Sequence, residues 1–141
     1  MKLSIINGPN LNLLGKRETN IYGNQDFDIF LKKLKSDFKS CSFSYFQSNI
    51  EGELIGAIQK FGFDCDGIIL NAGAYTHTSI GIADAIKAVE SPVIEVHISN
   101  TASREDYRHK SFITPVASGL IMGFGLMSYY LAVQSFVNKS L

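Results

Sequence analysis

The sequence predicts an α/β fold in which helices cover both faces of a parallel β-sheet. Three observations lead to this: short apolar runs alternate with stretches of helical periodicity, the connections between them are short, and the central runs are continuously apolar. With 141 residues the chain can bury one core of ordinary size, so a single domain over residues 1–141 is expected.

The first strand and the first helix are separated by a long loop. Residues 3–6 form a short apolar run that Gly8 and Pro9 end, which is typical of a strand that enters a loop. Asp26 can cap the helix that follows. Its apolar residues recur at helical spacing on one face: Phe27, Phe30, Leu31, Leu34 and Phe38.

The second strand and helix follow directly. Residues 42–46 alternate between polar and aromatic side chains, which predicts a strand. Ser48 and Glu51 predict a capping box at the start of a second helix. The apolar face of that helix consists of Leu54, Ile58 and Phe61.

The second half of the chain repeats this alternation. Residues 67–70 indicate a buried parallel strand, residues 79–89 a third helix, and residues 93–98 a fourth strand after Pro92. A charged segment then leads to a last strand near residues 116–122. The closing helix is predicted to carry one apolar stripe, formed by Leu126, Tyr130, Val133 and Val137.

Five strands that alternate with helices favour a flavodoxin-like three-layer sandwich with strand order 2-1-3-4-5. In such sheets ligands bind beyond the carboxyl ends of the strands, where the strand order changes direction. Candidate functional residues are therefore sought at that edge.

Composition restricts the partners. Thirteen basic and thirteen acidic side chains cancel, so no overall field would attract nucleic acid or an anionic membrane. The N-terminus lacks signal-peptide features, which predicts a cytoplasmic location. The apolar stretch 119–137 is interrupted by polar residues and glycines and is interpreted as core. Cys41 and Cys65 stand apart without metal-ligand spacing, so reduced thiols and no metal are expected.

Three loops with amide or imidazole side chains follow the predicted strands 1, 3 and 4. They begin at Asn7, Asn71 and His97. The first loop is unusually long, as lids often are, and contains Arg17 and Tyr22. The residues expected around one mouth are Arg17, Tyr22, Asn71, His77, His97 and Arg108.

Each of these residues also has a structural interpretation. Tyr22 can cover apolar surface, and His97 or His77 can make local hydrogen bonds only. Arg104 and Arg108 fit a solvated helix face, and the segment 71–73 fits turn chemistry. Because chance rarely gathers acid, base and anion-binding groups at one edge, their coincidence favours an active site.

These residues belong to motifs that resemble the type II 3-dehydroquinate dehydratases from end to end of the chain. The motifs are Asn7-Gly8-Pro9-Asn10-Leu11, Gly15-Lys16-Arg17-Glu18 followed by Tyr22-Gly23, Asn71-Ala72-Gly73-Ala74-Tyr75-Thr76-His77-Thr78-Ser79, Glu95-Val96-His97-Ile98-Ser99-Asn100, Arg104-Glu105-Asp106-Tyr107-Arg108 and Ser118-Gly119-Leu120-Ile121-Met122-Gly123. The resemblance implies reversible dehydration of 3-dehydroquinate to 3-dehydroshikimate, a homododecamer of four trimers, and no metal or other cofactor.

The resemblance also assigns roles by position. Tyr22 would be the base that removes the C2 proton, Arg17 the cation that favours its ionised form, and His97 the acid for the departing hydroxyl. Glu95 would orient His97, and Asn10 would hold a water that stabilises the enolate. Asp84 would reach a neighbouring subunit's site. The implied substrate-binding residues are Asn71, Gly73, His77, Ile98, Ser99 and Arg108.

Elementary chemistry is consistent with these roles. A tyrosine with a pKa of about 10 needs a nearby cation to act as a base near neutral pH, and Arg17 lies in the same loop. Glu95 and His97 are two residues apart in a strand and thus share a face, so their side chains are predicted to meet. A Schiff-base route would need a lysine in the pocket with a lowered pKa, and nothing in the motifs at this edge supplies one.

Two other functions are compatible with the predicted fold. A flavin- or nucleotide-binding carrier would need a phosphate-cradling loop after strand 1, where Pro9 instead removes an amide donor. A catalytically silent scaffold protein would have no need of Tyr22 or His97. The sequence therefore favours the enzyme.

Overall fold

The computed structural model describes residues 1–16, 20 and 26–138. Across these residues a single five-stranded parallel sheet has the order β2-β1-β3-β4-β5, as predicted. The strands are β1 (Lys2–Asn7), β2 (Ser42–Gln47), β3 (Gly67–Asn71), β4 (Val93–His97) and β5 (Gly119–Met122). The flavodoxin-like fold is confirmed.

Helices lie on both faces of the sheet, which makes the three predicted layers. In the described part of the chain they are α1 (Phe27–Asp37), α2 (Glu51–Phe61), α3 (Ile80–Ala88) and α4 (Met127–Val137). Because successive strand residues point to opposite faces, Ile5 packs with α1 and α4 whereas Ile6 packs with α2 and α3. Two separate apolar cores result.

Two helix starts follow capping chemistry, and one differs from the prediction. The Asp26 carboxylate accepts from the Asp28 amide at α1, and Ser79 Oγ accepts from the Ile82 amide at α3. The predicted capping box of Ser48 with Glu51 is wrong. Ser48 Oγ instead accepts from the amide of Ile50 and donates to the Glu53 carboxylate, because the residue that caps α2 is Ile50, two positions after Ser48.

The buried face of α4 also differs from the predicted stripe of Leu126, Tyr130, Val133 and Val137. Of these four, only Val133 is fully buried, and Val137 is exposed. The residues that pack against the sheet are Ser128, Tyr129, Ala132, Val133 and Phe136. The helix carries apolar side chains almost all around, so hydrophobic periodicity alone could not select the face.

The last strand is shorter than predicted. The amides of Val116 and Ala117 both donate to the Ile113 carbonyl, which turns the chain before β5 begins at Gly119. β5 lies at the edge of the sheet and is only partly buried.

Cys41 and Cys65 are free thiols, both partly buried, as expected. A search of the described residues finds no helix with the length and apolarity needed to cross a membrane.

Gly67 lies where β3 contacts α4, and substitution there is predicted to destabilise the fold. A Cβ at this position would lie 2.3 Å from the Phe136 ring. We expect Gly67→Ala to lower the free energy of unfolding by about 1–3 kcal/mol in urea denaturation followed by circular dichroism. Gly52→Ala on α2 is the control, because its Cβ would meet nothing within 4 Å, and it should be neutral or slightly stabilising. Equal stability of the two variants would contradict this packing argument.

Candidate active site

A pocket opens beyond the carboxyl ends of β1, β3 and β4, at the edge that the sequence indicated. Its walls are the loops that follow these three strands. The loop after β4 contributes residues as far as Arg108. The lining residues are Pro9, Asn10, Leu11, Leu14, Asn71, Gly73, Ala74, His77, His97, Ile98, Ser99, Thr101, Arg104 and Arg108.

The structure brings most of the predicted site residues to this pocket. Eight of them line it: Asn10, Asn71, Gly73, His77, His97, Ile98, Ser99 and Arg108. Glu95 lies behind His97 and is fully buried. Asp84 is not in the lining; it is exposed on α3 and pairs with Lys87 at 2.6 Å. Arg17 and Tyr22 lie outside the described residues.

Close contact between two loops shapes one wall. The Gly8 amide donates to the Asn71 carbonyl at 2.7 Å, and a Cβ at Gly8 would lie 2.5 Å from the Ala72 carbonyl oxygen. Gly73 has φ 58° and faces Pro9, a conformation that side-chain-bearing residues rarely adopt. Both glycines therefore permit the loops after β1 and β3 to touch.

The amides of the first loop are already engaged. Gly8 donates to Asn71, Pro9 has no amide hydrogen, and the Asn10 amide donates to Asn49 Oδ1 at 2.9 Å. A phosphate cradle needs several unengaged amides that converge. Residues 8–10 do not provide one, which disfavours the nucleotide-binding alternative.

His97 and Glu95 form the contact that their spacing predicted. Glu95 Oε1 and His97 Nε2 are 2.8 Å apart, and both residues are buried at the end of β4. A carboxylate so placed orients the imidazole ring. Since Nε2 contacts Glu95, Nδ1 is the ring nitrogen left for a ligand in the pocket.

Hydroxyl groups complete the surroundings of Glu95. Thr76 Oγ1 donates to Oε1 and Thr114 Oγ1 donates to Oε2, each at 2.5 Å. Burial acts to raise the pKa of Glu95, but the hydrogen bonds from His97, Thr114 and Thr76 outweigh it and hold this pKa below its ordinary value. Glu95 is thus a buried carboxylate in its ionised form.

A tyrosine that the sequence analysis missed supports the floor of the pocket. Tyr129 on α4 is fully buried; its hydroxyl donates to Asn7 Oδ1 and accepts from Asn71 Nδ2, both at 2.8 Å. Asn71 Oδ1 accepts from the Gly73 amide at 3.2 Å. These contacts fix the orientation of the Asn71 amide, leaving its second N–H as the donor for a ligand. The only sequence signal for Tyr129 was its helical spacing from Ala132, Val133 and Phe136, and the predicted stripe of this helix did not include it.

Two arginines supply the positive charge of the pocket. Arg104 Nη1 donates to Ser99 Oγ at 3.2 Å, and Arg108 Nε donates to Glu105 Oε2 at 2.7 Å. The alternative of a solvated helix face is wrong for this pair, because short 3-10 turns at Thr101–Ser103 and Asp106–Arg108 direct both side chains to the pocket. Arg104 had no predicted role.

Hydrogen bonds also lower the pKa of the Glu105 carboxyl group and determine the tautomer of His77. The Glu105 carboxylate accepts from the backbone amide of Glu105 and from the Arg108 guanidinium. These two hydrogen bonds lower the pKa of Glu105 to about 2. His77 Nδ1 lies 2.7 Å from the Lys110 carbonyl oxygen, which can only accept, so Nδ1 carries the hydrogen. In the neutral ring, Nε2 is then an acceptor.

The described residues contain no group of three or more His, Cys, Asp or Glu side chains placed to hold a metal ion. The pocket walls offer amide, hydroxyl, imidazole and guanidinium groups, and within the described chain they include no carboxylate and no lysine. Such a surface suits an anionic, oxygen-rich ligand and proton transfer from an imidazole.

Comparison with known proteins identifies a matching family. Residues 1–137 match the family described as dehydroquinase class II. The 3-dehydroquinate dehydratase of a Nitratiruptor species is 53% identical over 135 residues, covering 94% of this chain and 86% of that protein. That of Clostridium perfringens is 51% identical over 142 residues and covers 99% of both. The crystal structure of type II dehydroquinase from Butyrivibrio crossotus has 45% identity, a TM-score of 0.94 and 98% coverage of both chains.

Removal of the Tyr129 hydroxyl is predicted to weaken the pocket floor. Tyr129→Phe leaves Asn7 Oδ1 and Asn71 Nδ2 without this buried partner. We expect the free energy of unfolding to fall by about 1–3 kcal/mol in urea denaturation. Tyr130→Phe is the control, since no hydrogen bond of its hydroxyl is present in the described part of the chain, and it should change little. An equal loss in both variants would argue against the proposed network.

Glu95 is predicted to make stability depend on acid pH. Its folded-state pKa lies below the ordinary value of 4.5, so ionisation adds stability that is present above about pH 4.5 and lost as pH falls through the lower folded value. Glu95→Gln should be less stable at pH 7 by about 1.5–3 kcal/mol and should lose less stability between about pH 5 and 3. Urea denaturation across pH measures both. Glu90→Gln, at an exposed position, should keep the wild-type pH dependence.

Proposed function

The chain belongs to the class II dehydroquinase family and dehydrates 3-dehydroquinate, and from that premise we propose how its residues carry out the reaction. The product is 3-dehydroshikimate plus water, formed by anti elimination through an enolate. The elimination breaks the C2–H bond and the C1–O bond of the substrate. It therefore requires a base, an enolate-stabilising group and an acid.

The observation that carries the proposal is the Glu95–His97 pair beside two arginines in a pocket without a lining carboxylate among the described residues. An imidazole backed by an ionised carboxylate can hold the proton that a departing hydroxyl needs. The two cations give the pocket a positive charge, which suits a substrate that is an anion.

We assign the base to Tyr22, on the basis of the sequence motif that contains it. A proton α to a ketone is weakly acidic, and the phenolate is a sufficient base only if its pKa is lowered from about 10. Arg17 is the cation assigned to this effect, since a positive charge within about 4–6 Å favours the phenolate. Asn10, which lines the pocket, would hold the water that stabilises the enolate.

His97 acts as the acid in this mechanism. With Nε2 on Glu95, the proton is delivered from Nδ1 of the imidazolium to the C1 hydroxyl, which leaves as water. Glu95 stays ionised and orients the ring. After turnover Tyr22 holds the C2 proton and His97 lacks one, so exchange with solvent restores both.

The remaining lining residues bind substrate. The amides of Ile98 and Ser99 and the second N–H of Asn71 are assigned to the substrate carboxylate. Arg108 and His77 are assigned to the ring hydroxyls, and Gly73 lets the backbone approach closely. The support is that all of these residues line one pocket.

The proposal extends to the assembly and the cellular role. Asp84 is exposed on α3, away from its own pocket, as a residue that enters a neighbouring subunit's site would be. We therefore keep the homododecamer of four trimers, built from a single-domain chain, as part of the proposal. The reaction would be the third step of the cytoplasmic shikimate pathway to chorismate and aromatic amino acids.

The mechanism is tested by enone absorbance on mixing the purified protein with 3-dehydroquinate. Wild-type protein should form conjugated product, and Tyr22→Phe and His97→Ala should each lower kcat by about 100- to 10,000-fold, the usual contribution of a general base or acid. Tyr130→Phe is the matched control and should retain wild-type activity, because its ring packs against Phe38 and does not line the pocket. Borohydride should have no effect, because the elimination forms no imine.

Each outcome addresses a separate part of the proposal. An inactive wild-type protein of correct fold would reject the reaction itself. An active wild type with an equally active Tyr22→Phe would keep the reaction and reject the tyrosine base. Inactivation by borohydride in the presence of substrate would indicate a Schiff base and reject the enolate route.

A further inference from the structure

Three hydroxyl side chains surround the buried carboxylate of Glu95 without lining the pocket. Thr76 lies in the 3-10 turn after β3, and Ser111 and Thr114 lie in the turn that precedes β5. None of the three lines the active-site pocket; they line an adjacent cavity that also reaches His77, His97 and Arg108. All three hydroxyl groups contact Glu95, and Glu95 contacts His97, which is the hydrogen-bonded route from them to the active-site pocket.

Backbone amides determine the direction of the hydrogen bonds in this group. Ser111 Oγ accepts from the amides of Ile113 and Thr114, both at 3.0 Å, which occupies its two lone pairs. Ser111 must then be the donor both in its 2.7 Å contact with Thr76 Oγ1 and in its longer, 3.3 Å contact with Glu95 Oε1, and its one hydrogen is shared between them. The hydrogen from Ser111 occupies a lone pair of Thr76 Oγ1. Thr76 therefore directs its own hydrogen to Glu95 Oε1.

The result is a carboxylate that only accepts. Oε1 receives hydrogen bonds from Thr76, from His97 Nε2 and, at 3.3 Å, from Ser111, and Oε2 receives one from Thr114. A protonated Glu95 would need an acceptor among these neighbours. Thr76 already directs its hydrogen toward the carboxyl group, so the network favours the ionised form.

Ionised Glu95 in turn selects the state of His97. Its Oε1 needs a hydrogen from Nε2, so Nε2–H points away from the pocket and Nδ1 is presented to the substrate. A proton on Nδ1 then makes the ring an imidazolium, and this proton is the one that can be donated to the substrate. Thr114 is the donor that the structure gives to Oε2, and it thereby fixes the rotation of the carboxylate.

We propose that Thr114, supported by the Ser111–Thr76 chain, is a positioning residue that holds Glu95 as an ionised acceptor and so presents His97 Nδ1 to the substrate as the acid. This inference rests on the proposed role of His97. It assigns to the turn before β5 a function in catalysis beyond its part in the fold.

The test compares Thr114→Val, which keeps the shape and removes the hydroxyl, with Thr114→Ser, which keeps the hydroxyl. We expect Thr114→Val to lower kcat about tenfold, part of the full contribution of a general acid, with KM changed less than about twofold. Thr114→Ser should retain most of the wild-type kcat. Thr114→Ala carries the same expectation as Thr114→Val and replaces it if the valine variant does not fold.

Ser91→Ala is the matched control for loss of a buried hydroxyl. Ser91 Oγ donates to the Cys65 carbonyl at 2.6 Å, at the end of the sheet opposite the pocket. It should lose stability and keep kcat. A merely structural role of Thr114 predicts the same pattern for Thr114→Val, and that result would overturn the proposal.

A double-mutant cycle with Glu95→Gln separates the two proposals. If Thr114 acts through Glu95, Thr114→Val should add less than about twofold to the loss of kcat in Glu95→Gln. A full tenfold further loss would overturn the positioning role. His97→Ala measures the acid role independently. A large loss of kcat in His97→Ala together with wild-type kcat in Thr114→Val rejects this inference alone. Full activity of His97→Ala rejects the proposed mechanism.

Discussion

The buried charge of Glu95 is the constraint around which the functional edge of this sheet is arranged. An ionised group without solvent is strongly unfavourable unless hydrogen bonds replace its water. The replacements come from Thr76 after β3, Thr114 before β5 and His97 on β4 itself. Because Thr76 and Thr114 belong to different segments, satisfying one carboxylate fixes the positions of two loops relative to β4.

The apolar layers supply the rigidity that this arrangement requires. Each face of the sheet has its own core, so the strands hold their register while their carboxyl ends carry polar groups. Tyr129 joins the two regions, since its ring packs in one core and its hydroxyl bonds Asn7 and Asn71 at the pocket floor. The pocket is thus supported from below by the same helix that completes the sandwich.

Periodicity predicted the elements well and the details of packing poorly. The strand order followed from the alternation of strands with helices, and the face of α1 followed from its one-sided apolar stripe, which has one favourable way to be buried. The stripe of α4 was wrong because nearly every face of that helix is apolar, and contact with the sheet makes the choice. Ser48 bonds Glu53 rather than Glu51 because α2 starts later than its cap-like sequence indicated.

By itself the sequence determined the fold class, the edge that bears the pocket and most of the residues that line it, since strand ends and motifs are local properties. Only the tertiary structure decided that Arg104 belongs to the pocket, that Tyr129 orients Asn71, and that Thr76 and Thr114 hold Glu95. The physical reason is separation along the chain. Tyr129 bonds residues that are 58 and 122 positions away in the chain. No local sequence pattern identifies a threonine whose partner is a buried carboxylate.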